Sequence, residues 1–331
     1  MKPTRPMPGR ERGVAVITAL LLTTLAISIV ASLFWQQQVQ VRTMENQRLQ
    51  LQTKWIQRGA LDWAILVLQG SNLPFTSLDQ PWATPLAETR LDQYIERERV
   101  EGERYDATLS GNITDACALY NLRNLADGKN VDEGHIVAFG QLLANVGMDK
   151  SLARRVAQYV AAGESAVVTP PPTPGDGSTP PKTTQTQSPV QGTPMRFLQV
   201  DDLLSVPGFT PEMVERLRPF VIVLPDKTPV NVNTAAPEVL AAMLNGMSVS
   251  EANALVVRRK QAPWISRAMF DAQLSGKAAV APDALATRSD WYLINSRIRL
   301  DRAALDAESL IQRQPLVASG GGTRVVWIRQ Y

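Results

Sequence analysis

Two residue types on which much protein chemistry rests occur once each: Cys117 is the single cysteine and His135 the single histidine of 331 residues. No internal disulfide can form, so an extracytoplasmic domain of this chain must rely on the size of its core. Cys117 lies in the apolar run Ala116-Cys117-Ala118-Leu119 and reads as a buried, inert thiol. His135 has no Cys or His at metal-ligand spacing, so it reads as a core or surface residue and not as a ligand. A serine–histidine triad could be built on that one residue alone, and nothing around it suggests one. Gly-x-Ser-x-Gly, a phosphate-cradling glycine loop with lysine, His-Glu-x-x-His and paired cysteines are all missing. The closest carboxylates, Asp201-Asp202 and the group Asp301, Asp306 and Glu308, read as solvated faces. The expectation is a protein with no catalytic residues, no metal site and no cofactor.

Net cationic surface is also missing, although the whole chain carries +3 and a pI near 9.1. Lys2, Arg5, Arg10 and Arg12 against Glu11 place that excess before Val14. The remainder is neutral, so the affinity for nucleic acid that comes from counterion release is expected to be small.

Uncharged sequence runs from Gly13 to Val41, and its first 22 residues after Gly13, Val14 to Trp35, are strongly apolar. About 20 apolar residues span a bilayer. The cations before them keep the N-terminus in the cytoplasm and send the rest of the chain outward. A cleaved secretory signal would have a shorter apolar core, about 7–15 residues, ending at a small-residue site. Here, instead, Trp35 to Gln69 continues without proline and with one glycine, Gly59. Met44, Leu51, Trp55, Trp63 and Leu66 recur near helical spacing, as apolar residues to be buried. One helix from about Val14 to Gln69, roughly 80 Å long, is expected.

The junction Arg10-Glu11-Arg12-Gly13-Val14-Ala15-Val16 resembles the processing site of prepilin-class proteins. That resemblance implies a peptidase cut between Gly13 and Val14, N-methylation of Val14, and an intact apolar helix on the mature chain. Most pilins and pseudopilins carry Glu at the fifth mature position, and here it is Thr18. A carboxylate in lipid needs a partner. In this superfamily that partner is the N-terminal amine of the preceding subunit, so its loss implies a subunit at the tip.

Three further blocks follow in order: Asp115-Ala116 leading to Asn121-Leu122-Arg123-Asn124-Leu125, then Asp202 to Phe209, then Leu224-Pro225 leading to Val230-Asn231-Val232-Asn233-Thr234-Ala235. With the leader they resemble the minor pseudopilin K class of type II secretion systems over essentially the whole chain. The resemblance implies partners among the I and J minor pseudopilins, other pseudopilins, the inner-membrane secretion platform and the prepilin peptidase. It also implies calcium binding, at an acidic block after a second helix. Here that place reads Ala161-Ala162-Gly163-Glu164-Ser165. One Glu does not supply six to eight oxygen ligands, so that site is expected to be lost.

The other segments read from local chemistry. Tyr105 to Ile113 alternates around Ser110-Gly111-Asn112, a turn candidate. Asp132 starts a helix ended by Gly147, and Asp149 to Ala162 is a second. Val167 to Pro194, rich in Pro, Thr, Gly, Ser and Gln, reads as a loop. Thr210 and Pro211 start a helix after Pro207-Gly208, as in a helix–hairpin–helix, and Asn231 to Arg259 repeats the cadence. Such hairpins hold DNA phosphates elsewhere, so a membrane-anchored DNA-uptake or pilus-tip component is the alternative reading. Tyr292 to Leu300 alternates as a strand, with further strands at Ser309–Gln312 and Thr323–Arg329, giving three in all.

The expected fold class is therefore α+β. A long N-terminal pilin-like helix packs on a small antiparallel sheet, with a large helical insert of helix–hairpin–helix or SAM-like type. The parts are a leader at 1–13, a membrane helix at 14–35 continuing to about 69, an α/β domain at 70–119 and 290–331, and an insert at 120–289 with a loop at 165–194. The expected localisation is the inner membrane, single-pass, with the bulk of the chain periplasmic. Mass spectrometry of the membrane-extracted protein is expected to find Val14 as the mature N-terminus. A terminus near Ser32 would instead mean a discarded secretory signal.

Overall fold

The computed structural model describes residues 12–70, 73–91, 107–164, 195–313 and 322–331. The first 11 residues and the Pro-rich segment 165–194 lie outside them. The chain divides into two compact units, one of residues 1–59, 90–108 and 298–305, the other of residues 60–89, 109–297 and 306–331.

Helix α1 spans Arg12–Gln69. In the first unit its residues from Val16 to Trp35 are exposed apolar side chains, as a segment solvated by lipid requires. Its hydroxyls are satisfied within the helix: Thr18 donates to Ala15 O at 3.1 Å, Thr23 to Leu20 O at 2.9 Å and Ser28 to Thr24 O at 2.9 Å. A polar group facing hydrocarbon needs such an internal acceptor. Further along, Arg302 donates to Glu45 at 3.0 Å and to Asn46 at 3.1 Å.

The strands are β1 (Leu86–Arg90), β2 (Ala107–Asp115), the short pieces β3 (Tyr120–Asn121), β4 (Ala126–Asp127), β5 (Asn130–Val131), β6 (Val221–Ile222), β7 (Val230–Asn231) and β8 (Leu285–Ala286), then β9 (Trp291–Leu300), β10 (Ala303–Gln312) and β11 (Arg324–Gln330). The main sheet has five strands in the order β1-β2-β9-β10-β11: the three expected near the C-terminus, β2 on the alternating stretch that ends at Ile113, and β1 besides. β1 has no alternating pattern to announce it. β10 starts six residues before Ser309, straight after a tight turn in which Asp301 takes φ of 50°.

Leu61, Ala64 and Leu68 of α1 pack on one face of this sheet, against Trp82, Ile113, Tyr292, Ile294 and Ile311. On the other face Trp291 and Leu310 meet Cys117, Ile222 and Leu224. The alternation along β9 thus feeds two separate clusters. Between β2 and β9 in sequence come the helices α2 (Glu133–Asn145), α3 (Leu152–Glu164), α4 (Pro211–Leu217), α5 (Pro237–Met243), α6 (Val249–Gln261) and α7 (Arg267–Asp271). They share a large core around Tyr120, Phe139, Leu142, Leu217, Leu240 and Phe270. The fold is α+β, a long apolar helix with an antiparallel sheet and inserted helices.

Two expectations need correction. Ser110-Gly111-Asn112 is not a turn; β2 runs straight through it. A Cβ on Gly111 would collide with Asn295 O, so this glycine serves the close approach of β9. The sheet also does not cover the large apolar residues of α1 nearest to it: Trp63 and Leu66 are 47% and 66% exposed, while Ala60, Leu61, Ala64 and Leu68 are buried. Small side chains let the helix lie close to the sheet, and that selects the face.

Candidate functional site

The motif blocks converge on a buried polar junction. Asp115 ends β2 and is buried. Its carboxylate accepts from Cys117 N at 2.8 Å, Asn231 Nδ2 at 3.0 Å, Thr234 Oγ1 at 2.5 Å and Ser289 Oγ at 2.6 Å. Burial pushes its pKa up, and the four donors pull against that. The same burial, with Asp115 beside it, pushes the Cys117 thiol up to about 12, so it is inert. Asn231 Nδ2 also donates to Thr76 O at 3.1 Å. Thr76 Oγ1 accepts from Ser289 N at 3.1 Å and from Arg313 at 3.2 Å, and Arg313 lies 5.2 Å over the Tyr292 ring.

A second junction ties the remaining block. Asn121 accepts from Leu224 N at 3.1 Å and donates to Asp226 O at 2.8 Å, while Asn124 exchanges bonds with Thr228 N and O at 3.0 and 2.7 Å. These asparagines replace backbone ladder partners where the chain is irregular. His135 is buried beside Tyr120, its backbone held by the Asp132 cap.

Several carboxylates outside the junctions are paired or capping. Asp201 and Glu215 share Arg218, Asp306 takes Arg297 at 2.8 Å, and Asp202 accepts from Leu198 N at 2.6 Å. The cleft of about 750 Å³ between Leu198–Asp201 and the sheet around Asn295 and Trp327 contains these ion pairs and no convergent acid, base or nucleophile.

Both hairpin turns are exposed, with hydrogen bonds to neighbouring segments. Pro207 O accepts from Arg155 at 3.2 Å, and a Cβ on Gly208, whose φ is +103°, would come within 3.0 Å of Leu152. In the second, Asn245 N donates to Ala278 O and Lys277 to Gly246 O, at 2.9 and 2.8 Å. Of the clustered cations Arg258, Arg259 and Lys260, Arg259 is buried and donates to Val232 O at 2.8 Å and Ala235 O at 2.7 Å. Phosphate would have to compete with those two carbonyls for it.

Where the resemblance implies calcium, Glu164 ends α3 and is engaged by Arg123, with Arg196 at 3.9 Å. The two guanidinium groups beside this one carboxylate repel a divalent cation. Among the described residues no three His, Cys, Asp or Glu side chains gather as ligands either. The residues present do not fit the ion.

Residues 118–226 and 230–288 match two family models, both described as type II secretion system protein K. The chain belongs to the type II secretion system protein K family. Among curated family members, the protein of Pectobacterium carotovorum is 27% identical over 98% of each chain. That of Klebsiella pneumoniae is 29% identical over 93% of this chain and 94% of its own, and that of Pseudomonas aeruginosa is 27% identical over 92% and 89%. The fold resembles a chain in the crystal structure of the GspK–GspI–GspJ complex from enterotoxigenic Escherichia coli, with a TM-score of 0.59 and 19% identity over 88% of this chain and 99% of that one. Of the residues that build the two polar junctions, Asn121 and Asn231 lie within the matched stretches and Asp115 just before the first.

The remaining site residues lie on α1. Gly13 and Val14 fall in its first turn, and Thr18 is an exposed residue one turn on. Sequence reasoning missed Thr76, Ser289 and Arg313, which carry no motif signal. Replacing Asp115 by Ala leaves four buried donors without their acceptor. A loss of about 3–5 kcal/mol is expected, read from denaturant unfolding of the full-length protein in detergent.

Proposed function

We propose that this subunit is a minor pseudopilin at the tip of the type II secretion pseudopilus. There it starts assembly of the fibre and so supports export of folded proteins across the outer membrane. It acts as a structural part and not as an enzyme. Its helix anchors it in the inner membrane by a single pass, with the N-terminus cytoplasmic and the bulk periplasmic. Prepilin peptidase removes residues 1–13, and Val14 becomes the methylated terminus. With Thr18 in place of an acid, no preceding amine is needed, as befits a first subunit.

The observation that carries the reading is the apolar face of α1 between the membrane and Gly59. Met44, Leu51 and Trp55 are 61%, 59% and 73% exposed. At 100° per residue they fall on one face, with Arg48 between them. A large apolar face beside a membrane anchor is suited to a second helix of the same kind, anchored in parallel. The solved relative belongs to a complex with GspI and GspJ, so I- and J-class pseudopilins are the proposed occupants. The use of Arg259 in internal hydrogen bonds and the family match favour this reading over DNA uptake.

Photo-crosslinkers at Met44 and Leu51 are expected to capture I- or J-class pseudopilins in membranes. One at Gln50, more than a quarter turn from both, is expected to capture far less. Equal capture from Gln50 would contradict a specific helix interface.

A further inference from the structure

Where the family resemblance implies calcium, three separate stretches of this chain meet. Arg123 comes from the 3₁₀ turn Leu122–Leu125, Glu164 from the end of α3, and Arg196 from the chain just after the Pro-rich segment. Arg123 and Glu164 keep only 15% and 14% of their side-chain surface. Arg196 also donates to Pro225 O at 2.8 Å, occupying a carbonyl oxygen of the kind a cation would coordinate. A Cβ on Gly163 would meet Arg196 Cα and Met195 O at 3.0 Å, so the returning chain lies directly on the end of α3. Burial, with Arg196 nearby, pulls the Arg123 guanidinium down to about 10, still charged at neutral pH.

We propose that the two guanidinium groups of Arg123 and Arg196 hold these stretches together through Glu164 and Pro225 O, which makes the helical insert independent of calcium. A guanidinium is a fixed cation that offers several N–H donors in one plane. It can therefore gather a carboxylate and a carbonyl as a divalent ion does, without requiring six to eight oxygens. The clasp also fixes both ends of the excursion at 165–194, because Gly163-Glu164 and Met195-Arg196 are held side by side.

The test is thermal unfolding of the full-length protein in detergent, in excess EDTA and in millimolar CaCl2. The wild type is expected to melt at the same temperature in both, within about 1 °C, since only a ligand that binds the folded state raises Tm. Glu164→Gln is expected to lower Tm by about 3–6 °C in both buffers. A calcium-induced rise of about 3 °C or more in the wild type would overturn the proposal, and so would an unchanged Tm for Glu164→Gln. The calcium comparison needs no variant, so it decides the matter even if the substituted protein does not fold.

Discussion

A carboxylate taken out of water must be surrounded by donors, and Asp115 recruits its donors from across the chain. Asn231, Thr234 and Ser289 lie 116, 119 and 174 residues away in sequence. Meeting that one requirement sets the end of β2, the start of the second hairpin and the approach to β9 at a common point. The tail of α1, the sheet and the inserted helices of the second unit all depend on that alignment. The cost of burying the charge is offset only when every donor is present. The junction is therefore a specification of geometry more than a reserve of stability.

Much of the fold was legible because its signals are local. Asp132 and Thr210 cap α2 and α4 as their side-chain chemistry suggests, with Asp132 accepting from His135 N and Thr210 from Met213 N. Gly147 and Gly208 take positive φ where the helical patterns stop or turn. The alternation of β9 reads directly as one buried face, Tyr292 to Leu300, with the other face covered at Trp291 and exposed by Arg297 and Arg299. Long-range choices were not legible. Gly111 signals backbone freedom, but sequence alone does not say whether a glycine makes a turn or admits a neighbouring strand. In α1 the largest apolar residues mislead: Ala60, Leu61 and Ala64 win the inner face by size, and the tryptophans stay outside. The Asp115 junction was legible only as a family block. The residues completing it, Thr76, Ser289 and Arg313, are ordinary in sequence and are brought in by topology.

The polar residues of the two junctions are engaged in joining segments, and Arg259 and Arg123 are used in the same way. The apolar N-terminal segment and the face of α1 that bears Met44, Leu51 and Trp55 are exposed. An exposed apolar face of that kind is suited to other helices, and the proposed role in assembly rests on it.

The central claim is that the chain works as a part of a helical assembly with related pseudopilins. Affinity purification of the tagged full-length protein from detergent-solubilised membranes, with the co-purifying chains identified by mass spectrometry, tests it most directly. I- and J-class pseudopilins are predicted as its principal companions. Recovery of DNA-uptake components in their place, or of the protein with no pseudopilin at all, would contradict it.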